Sequence, residues 1–162
     1  MDPGRRVQEP VTTRLALLAL GLVAGAVGAT AREGVAPNVL PDTTLVLRAS
    51  GSTLEFLPAR LSARSGTRVR IRFVNDGTLP HNVVVPRNED DLDALATAAY
   101  NAGASGFVPL GDTAKLLVYS KLVSPGETAE LSFVMPAPGE YRYVCLFPGH
   151  ANSMLGTLRS LR

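Results

Sequence analysis

The sequence has one cysteine and two histidines in 162 residues, and each shortage narrows the possibilities. A single cysteine has no internal partner, so no disulfide framework holds this chain together. The thiol must instead be reactive, intermolecular or bound to something. Excess charge of one sign is also missing. Outside the first 31 residues, 13 Lys and Arg stand against 12 Asp and Glu, which excludes the basic footprint expected of a nucleic-acid binder. Residues 32–162 contain no internal repeat and no low-complexity segment.

Long hydrophobic runs are limited to one. Arg5, Arg6 and Arg14 lie in a polar lead, followed by an apolar stretch over residues 15–31 that ends in Gly28-Ala29-Thr30-Ala31. This is the layout of a secretory signal with an Ala-x-Ala cleavage site. At about 17 residues, the run sits at the lower limit for a spanning helix. Residues 1–31 therefore read as a signal peptide, with an uncleaved N-terminal membrane anchor through residues 15–31 as the alternative. Either way the chain is expected to be exported, to the periplasm or another extracytoplasmic space. No cysteine lies near residue 31, so a lipid-modified start is excluded. Cleavage after Ala31 would leave 131 residues, enough for one domain with its own core. Residues 32–42 hold Gly34, Pro37, Asn38 and Pro41 and read as a linker.

From residue 43 onward the chain is a succession of short β-type runs broken by turn residues. Strands are expected over residues 43–49, 53–57, 67–75, 81–85, 115–123, 128–135, 140–145 and 155–161. The third alternates cleanly: Val69, Ile71 and Phe73 point one way and Arg68, Arg70 and Arg72 the other, the period-two signature of a half-buried strand. One segment breaks the pattern. Asn88 is placed to cap a helix whose first turn carries Glu89, Asp90 and Asp91, favourable beside a helix N-terminus. Leu92, Leu95, Ala96 and Ala99 then recur at helical spacing, and Gly103 is expected to end the helix. Residues 88–114 thus form a helical insertion. About eight short strands around it predict an all-β fold, a Greek-key β-sandwich over residues 43–162.

The three scarce residues fall in two short stretches. Cys145-Leu-Phe-Pro-Gly-His150-Ala-Asn-Ser-Met154 places a thiol, an imidazole and a thioether in ten residues, and Leu79-Pro-His81-Asn82 supplies the other imidazole. Two imidazoles, one thiolate and a distant thioether are the donor set of a mononuclear blue-copper site. Cu(I) favours soft sulfur donors, whereas Cu(II) favours nitrogen and oxygen, and this set is acceptable to both. His81, Cys145, His150 and Met154 are therefore the candidate ligands for one copper per chain. A cysteine-hydrolase pairing of Cys145 with His150 lacks a third orienting residue.

The Cys-x-Phe-Pro-Gly-His pattern resembles the copper loop of the azurin and auracyanin branch of the cupredoxins. The Pro-His-Asn stretch is similar to that of plastocyanin-like members. The resemblance covers roughly residues 40–162. It implies a type 1 copper protein, not an enzyme, that shuttles single electrons as a monomer between transient redox partners docking near His150. It also implies that Asn82 braces the two ligand loops and lends an N–H to the Cys145 sulfur. Phe147, where plastocyanins have proline, would offer a second backbone N–H to the sulfur. The Pro80 carbonyl stands where azurins provide a weak fifth interaction. An apolar rim of Leu79, Pro80, Leu146, Phe147, Pro148 and Leu155 is expected around His150. Two further roles fit the same donors: a module that handles copper itself, or the electron-entry subunit of a larger oxidase or reductase complex.

Overall fold

The computed structural model describes residues 42–162. The signal peptide or anchor at 1–31 and nearly all of the 32–42 linker lie outside the described residues. The chain forms β1 (Thr43–Gly51), β2 (Arg60–Arg64), β3 (Arg68–Gly77), β4 (Val84–Pro86), α1 (Leu92–Ala99), β5 (Leu116–Tyr119), β6 (Thr128–Val134), β7 (Gly139–Val144) and β8 (Leu155–Leu161). Among the described residues no helix is long and apolar enough to cross a membrane.

Alternation in β3 does what its sequence demands. Val69, Ile71 and Phe73 are fully buried, while Arg68 and Arg72 stand in solvent. The strand sits at the centre of a three-stranded sheet, ordered β1-β3-β6. It runs parallel to β1, from Thr43 beside Val69 to Gly51 beside Gly77, and antiparallel to β6, with Ile71 opposite Leu131. The second sheet is ordered β2-β8-β7-β4-β5. The inner faces of both sheets share one core, in which Leu47, Ile71, Phe73 and Leu131 meet Leu61, Tyr143 and Leu158. The β-sandwich is as expected from the sequence, and seven of its eight strands overlap their expected positions.

Several strand boundaries differ from expectation: β4 begins at Val84 and β5 ends at Tyr119, so that His81 and Val123, expected inside these strands, form only a bridge to each other. Residues 53–57 are not a strand; their backbone pairs with β1 through one bridge, between Arg48 and Leu57. Their apolar alternation reports burial without a ladder. Phe56 drives inward between Phe73 and Tyr143, with ring centroids 5.8 and 5.3 Å away and edges toward faces. The strand comes slightly later, at β2, where only Leu61 and Ala63 point inward and the hydrophobic signal is faint. Tyr143 passes its hydroxyl to the Pro58 carbonyl at 2.7 Å, and burial holds its phenol well above the usual pKa range.

Gly156 is what makes room for that ring. A Cβ at this position would overlap the Tyr143 ring atoms. Gly156→Ala is therefore expected to destabilise the fold by about 1–3 kcal/mol, the usual cost of overpacking. The check is urea unfolding of the metal-free protein; an unchanged midpoint would count against this packing.

The insertion also departs from expectation at both ends. Asn88 is extended, and no hydrogen bond from its side chain caps the helix; Glu89–Asp91 instead wind a 3-10 turn before α1 begins. Of the acidic trio, Glu89 is engaged by Arg142 at 2.9 Å. At the other end α1 stops at Ala99, and Gly103 opens a further 3-10 turn. The left-handed residues come later, at Gly106 (φ 67°) and Phe107 (φ 63°). Glycine takes such a φ freely, whereas at phenylalanine it costs about 1–2 kcal/mol. Leu95 and Ala99 seat α1 on Val84, Leu116, Val144 and Leu146, a second core outside the sandwich.

Candidate metal centre

His81 is delivered by the turn that leaves β3. Asn75, fully buried, holds this turn from inside. Its Nδ2 donates to the carbonyls of Leu79 (2.8 Å) and Val123 (2.9 Å), and its Oδ1 accepts from the Gly77 amide (3.0 Å). Glycine at 77 suits the tight space, since a Cβ would lie 3.1 Å from Asn75 Oδ1 and from the Gly51 carbonyl. The His81 backbone is then locked to Val123 by a reciprocal pair of hydrogen bonds, 3.0 and 2.8 Å. Nothing in the sequence marks Asn75 as more than a turn residue in Asn-Asp-Gly; its burial is what gives it this role.

The other candidate donors come from the loop joining β7 to β8. The loop begins and ends on one antiparallel ladder, with Val144 opposite Leu155. Just beyond, the Cys145 amide donates to the Met154 carbonyl at 3.0 Å. The His150 amide donates to the Phe147 carbonyl, and the Met154 amide to the His150 carbonyl, at 3.0 and 2.8 Å. Gly149, at φ 83°, makes the turn that permits this winding. The loop is closed by its own backbone before any metal is considered.

These two pieces bring the thiol and both imidazoles together. Cys145 Sγ lies 3.8 Å from His81 Nδ1 and 3.7 Å from His150 Nδ1, and all three donor atoms fall within 4.8 Å of one another. Among the described residues no other group of His, Cys, Asp or Glu side chains converges in this way. The three are 0%, 1% and 6% exposed for Cys145, His81 and His150, so water is nearly excluded. Met154 is also fully buried, in the same core cluster as Cys145.

Burial sets the protonation of the pocket. Desolvation, with the His150 ring adding to it, pushes the His81 imidazole down to about 4. Desolvation lowers that of His150 as well. Both rings are thus neutral donors at pH 7. Burial pushes the Cys145 thiol up to about 11, opposed by hydrogen bonds from the backbone amides of Asn82 and Phe147. A thiol in such a place gives up its proton to a metal and not to water. The spacing fits as well. Donor atoms all within 4.8 Å of one another are close enough to share a single ion.

Asn82 ties the two pieces together. Its Oδ1 accepts from the Leu146 amide at 2.7 Å, and its Nδ2 donates to the Gly106 carbonyl at 2.9 Å. Phe147 is half-buried, and its ring lies 4.8 Å from that of His150. Pro80 is half-buried immediately before His81. The expected apolar rim is only partly present. Leu79 is 40% exposed, and Pro80, Phe147 and Pro148 are partly so. Leu146 is buried, however, and with Leu155 it packs in the second core with α1. Leu146 and Leu155 thus face the second core, whereas Cys145 faces the first.

The sequence profile of copper binding proteins of the plastocyanin/azurin family matches residues 43–159. The chain belongs to that family. Auracyanin-B of Chloroflexus aurantiacus is 40% identical over 125 residues, covering 75% of this chain and 53% of that protein. Auracyanin-A of the same organism is 34% identical over 118 residues, covering 71% and 72%. The chain thus spans about half the length of auracyanin-B. A solved structure of auracyanin B superposes with a TM-score of 0.71 at 38% identity, covering 77% of this chain and 93% of that one. In this plastocyanin/azurin family member, the His81–Cys145–His150 cluster is able to bind copper, one ion per chain.

Proposed function

We propose that the protein is a blue-copper carrier of single electrons that works outside the cytoplasm. The observation that carries this reading is the convergence of the chain's only thiol with both of its imidazoles in a buried pocket. His81, Cys145 and His150 would hold copper strongly and Met154 more weakly, with the Pro80 carbonyl as a further candidate neighbour. All of these come from one chain, so a monomer suffices. Copper bound there would supply a reversible one-electron couple. Residues 43–162 form the working domain, behind a signal or anchor at 1–31 and a linker at 32–42.

The chain's own residues supply rigidity. A carrier works best when its donors keep one arrangement in both oxidation states. The Val123 clamp on His81 and the self-closed loop around His150 resist movement. The Asn82 and Phe147 amides withdraw charge from the Cys145 sulfur, and such outer contacts tune a metal centre. Leu79, Pro80, Phe147 and Pro148, each at least partly exposed, would offer a small apolar patch suited to a transient redox interface. The role is carriage of electrons and not turnover of a substrate. Donors as deeply buried as these disfavour the alternative of a copper-handling module, which needs ligands that exchange.

Within the described domain, Asp42 and the metal centre lie at opposite ends of β3. β1 runs parallel to β3, and Asp42 bonds to Arg68 at the start of β3. The ten residues of β3, at about 3.3 Å each, separate that end from the His81 turn by roughly 30 Å.

The test is a visible spectrum of the Cu(II)-loaded protein together with a redox titration. An intense thiolate-to-copper band and a reversible one-electron wave are expected; absence of the band would overturn the reading. Met154→Gln tests whether Met154 is a ligand. A harder oxygen donor favours Cu(II), so the band should persist while the potential falls by about 59 mV or more, a tenfold shift for one electron. Voltammetry showing an unchanged or higher potential would remove Met154 from the ligand set.

A further inference from the structure

Phe107 holds a backbone conformation that phenylalanine rarely adopts (φ 63°). Persistent strain of this kind needs surroundings that enforce it and often marks a working position. The surroundings here are specific. The Phe107 amide donates to the Ala102 carbonyl at 2.8 Å, and its ring meets Phe147 edge to face, with centroids 5.0 Å apart and planes at 70°. Phe147 in turn lies 4.8 Å from the His150 ring. The residue before Phe107, Gly106, gives its carbonyl to Asn82, which also holds the Leu146 amide. Two adjacent residues of the insertion, 106 and 107, therefore grip two adjacent residues of the metal loop, 146 and 147. The gripped pair immediately follows Cys145 and includes the amide on its sulfur.

We propose that Phe107 is a positioning residue for the metal centre: it fixes Phe147, and through Phe147 both the His150 ring and the amide bonded to the Cys145 sulfur. The proposal rests on the copper reading above. It gives the helical insertion a part in tuning a site to which it contributes no ligand. Without the Phe107 edge, the Phe147 ring has freedom to turn away, and its amide spends less time on the sulfur. The thiolate then keeps more of its charge, which favours the oxidised ion.

Phe107→Asn removes the ring while retaining a residue that tolerates the left-handed backbone; Phe107→Tyr keeps the ring. In the metal-free protein, hydrogen exchange at the Phe147 amide is expected to quicken at least tenfold in the Asn variant. Exchange at the Val69 amide, deep in β3, should stay unchanged. In the Cu-loaded protein the ratio of reduced to oxidised copper at fixed potential should fall about tenfold, a midpoint lower by about 59 mV. The Tyr variant should match the parent in both. An Asn variant with unaltered Phe147 exchange and midpoint would overturn the proposal, as would a Tyr variant behaving like Asn. Should the Asn variant not fold, Phe107→Leu, which keeps apolar bulk without an aromatic edge, must show the same two shifts, and parental values there would overturn it. If the parent protein itself lacked the thiolate-to-copper band, the copper reading would fail, while the exchange measurement would still decide the role of Phe107.

Discussion

Cys145→Ser is expected to abolish the intense visible band of the Cu(II)-loaded protein and leave the β-sandwich folded. The band requires a thiolate, and Cys145 is the only thiol in the chain. The fold should survive because the change is small and the new hydroxyl is not stranded. His81 Nδ1 and His150 Nδ1 both flank this position, so a small turn of either ring gives the serine hydroxyl a nitrogen partner and limits the penalty of an unpaired polar group. Copper itself should be held far more weakly, since a neutral alcohol replaces a charged soft donor. Visible absorption and far-ultraviolet circular dichroism on the same sample separate the outcomes. A variant that remained strongly blue would mean that the sulfur is not a ligand. One that lost its β-sheet signal would mean that Cys145 acts first as core.

Asn82→Ala is expected to cost the metal-free protein about 2–4 kcal/mol. Alanine leaves the Leu146 amide, at a residue only 2% exposed, without its acceptor. A buried donor without a partner costs about 1–3 kcal/mol, and losing the bond to the half-buried Gly106 carbonyl adds about 1 kcal/mol. The size reflects position: one amide side chain connects the metal loop to the insertion loop, and neither has another such link through residue 82. Urea unfolding with and without Cu(II) is the check. A loss under about 0.5 kcal/mol would mean that water or a loop shift satisfies both groups.

The two kinds of information in the sequence were not equally legible. The donor set could be read because its chemistry is rare: a thiol and two imidazoles, each scarce in the chain, falling in two short stretches. The brace of Asn82 on the metal loop was likewise implied by the family resemblance. Period-two alternation gave β3, β6 and β8 nearly to the residue, because each buries one face and exposes the other. The same signal misled at residues 53–57, where Phe56 is buried by aromatic neighbours and not by strand pairing. It was too weak at β2, whose inward residues are only Leu61 and Ala63. Capping chemistry placed a helix correctly but not its ends, since a 3-10 turn supplanted the Asn88 cap. Asn75 and Phe107 were beyond reach. Their roles depend on contacts between segments distant in sequence, and no local pattern encodes an amide buried under Val123 or a ring edge against Phe147.

The parallel pairing of β1 with β3 has a practical corollary for anyone attaching this protein to a solid support. Chemistry placed ahead of Asp42 would fix the molecule by the end remote from His81, with the metal centre turned to the bulk solution. Such a film should exchange electrons readily with dissolved proteins and sluggishly with the conductor beneath it, because tunnelling fades steeply across the length of a sandwich. A linkage made near Leu79 or Pro148 would reverse both properties, giving a fast electrode closed to proteins in solution.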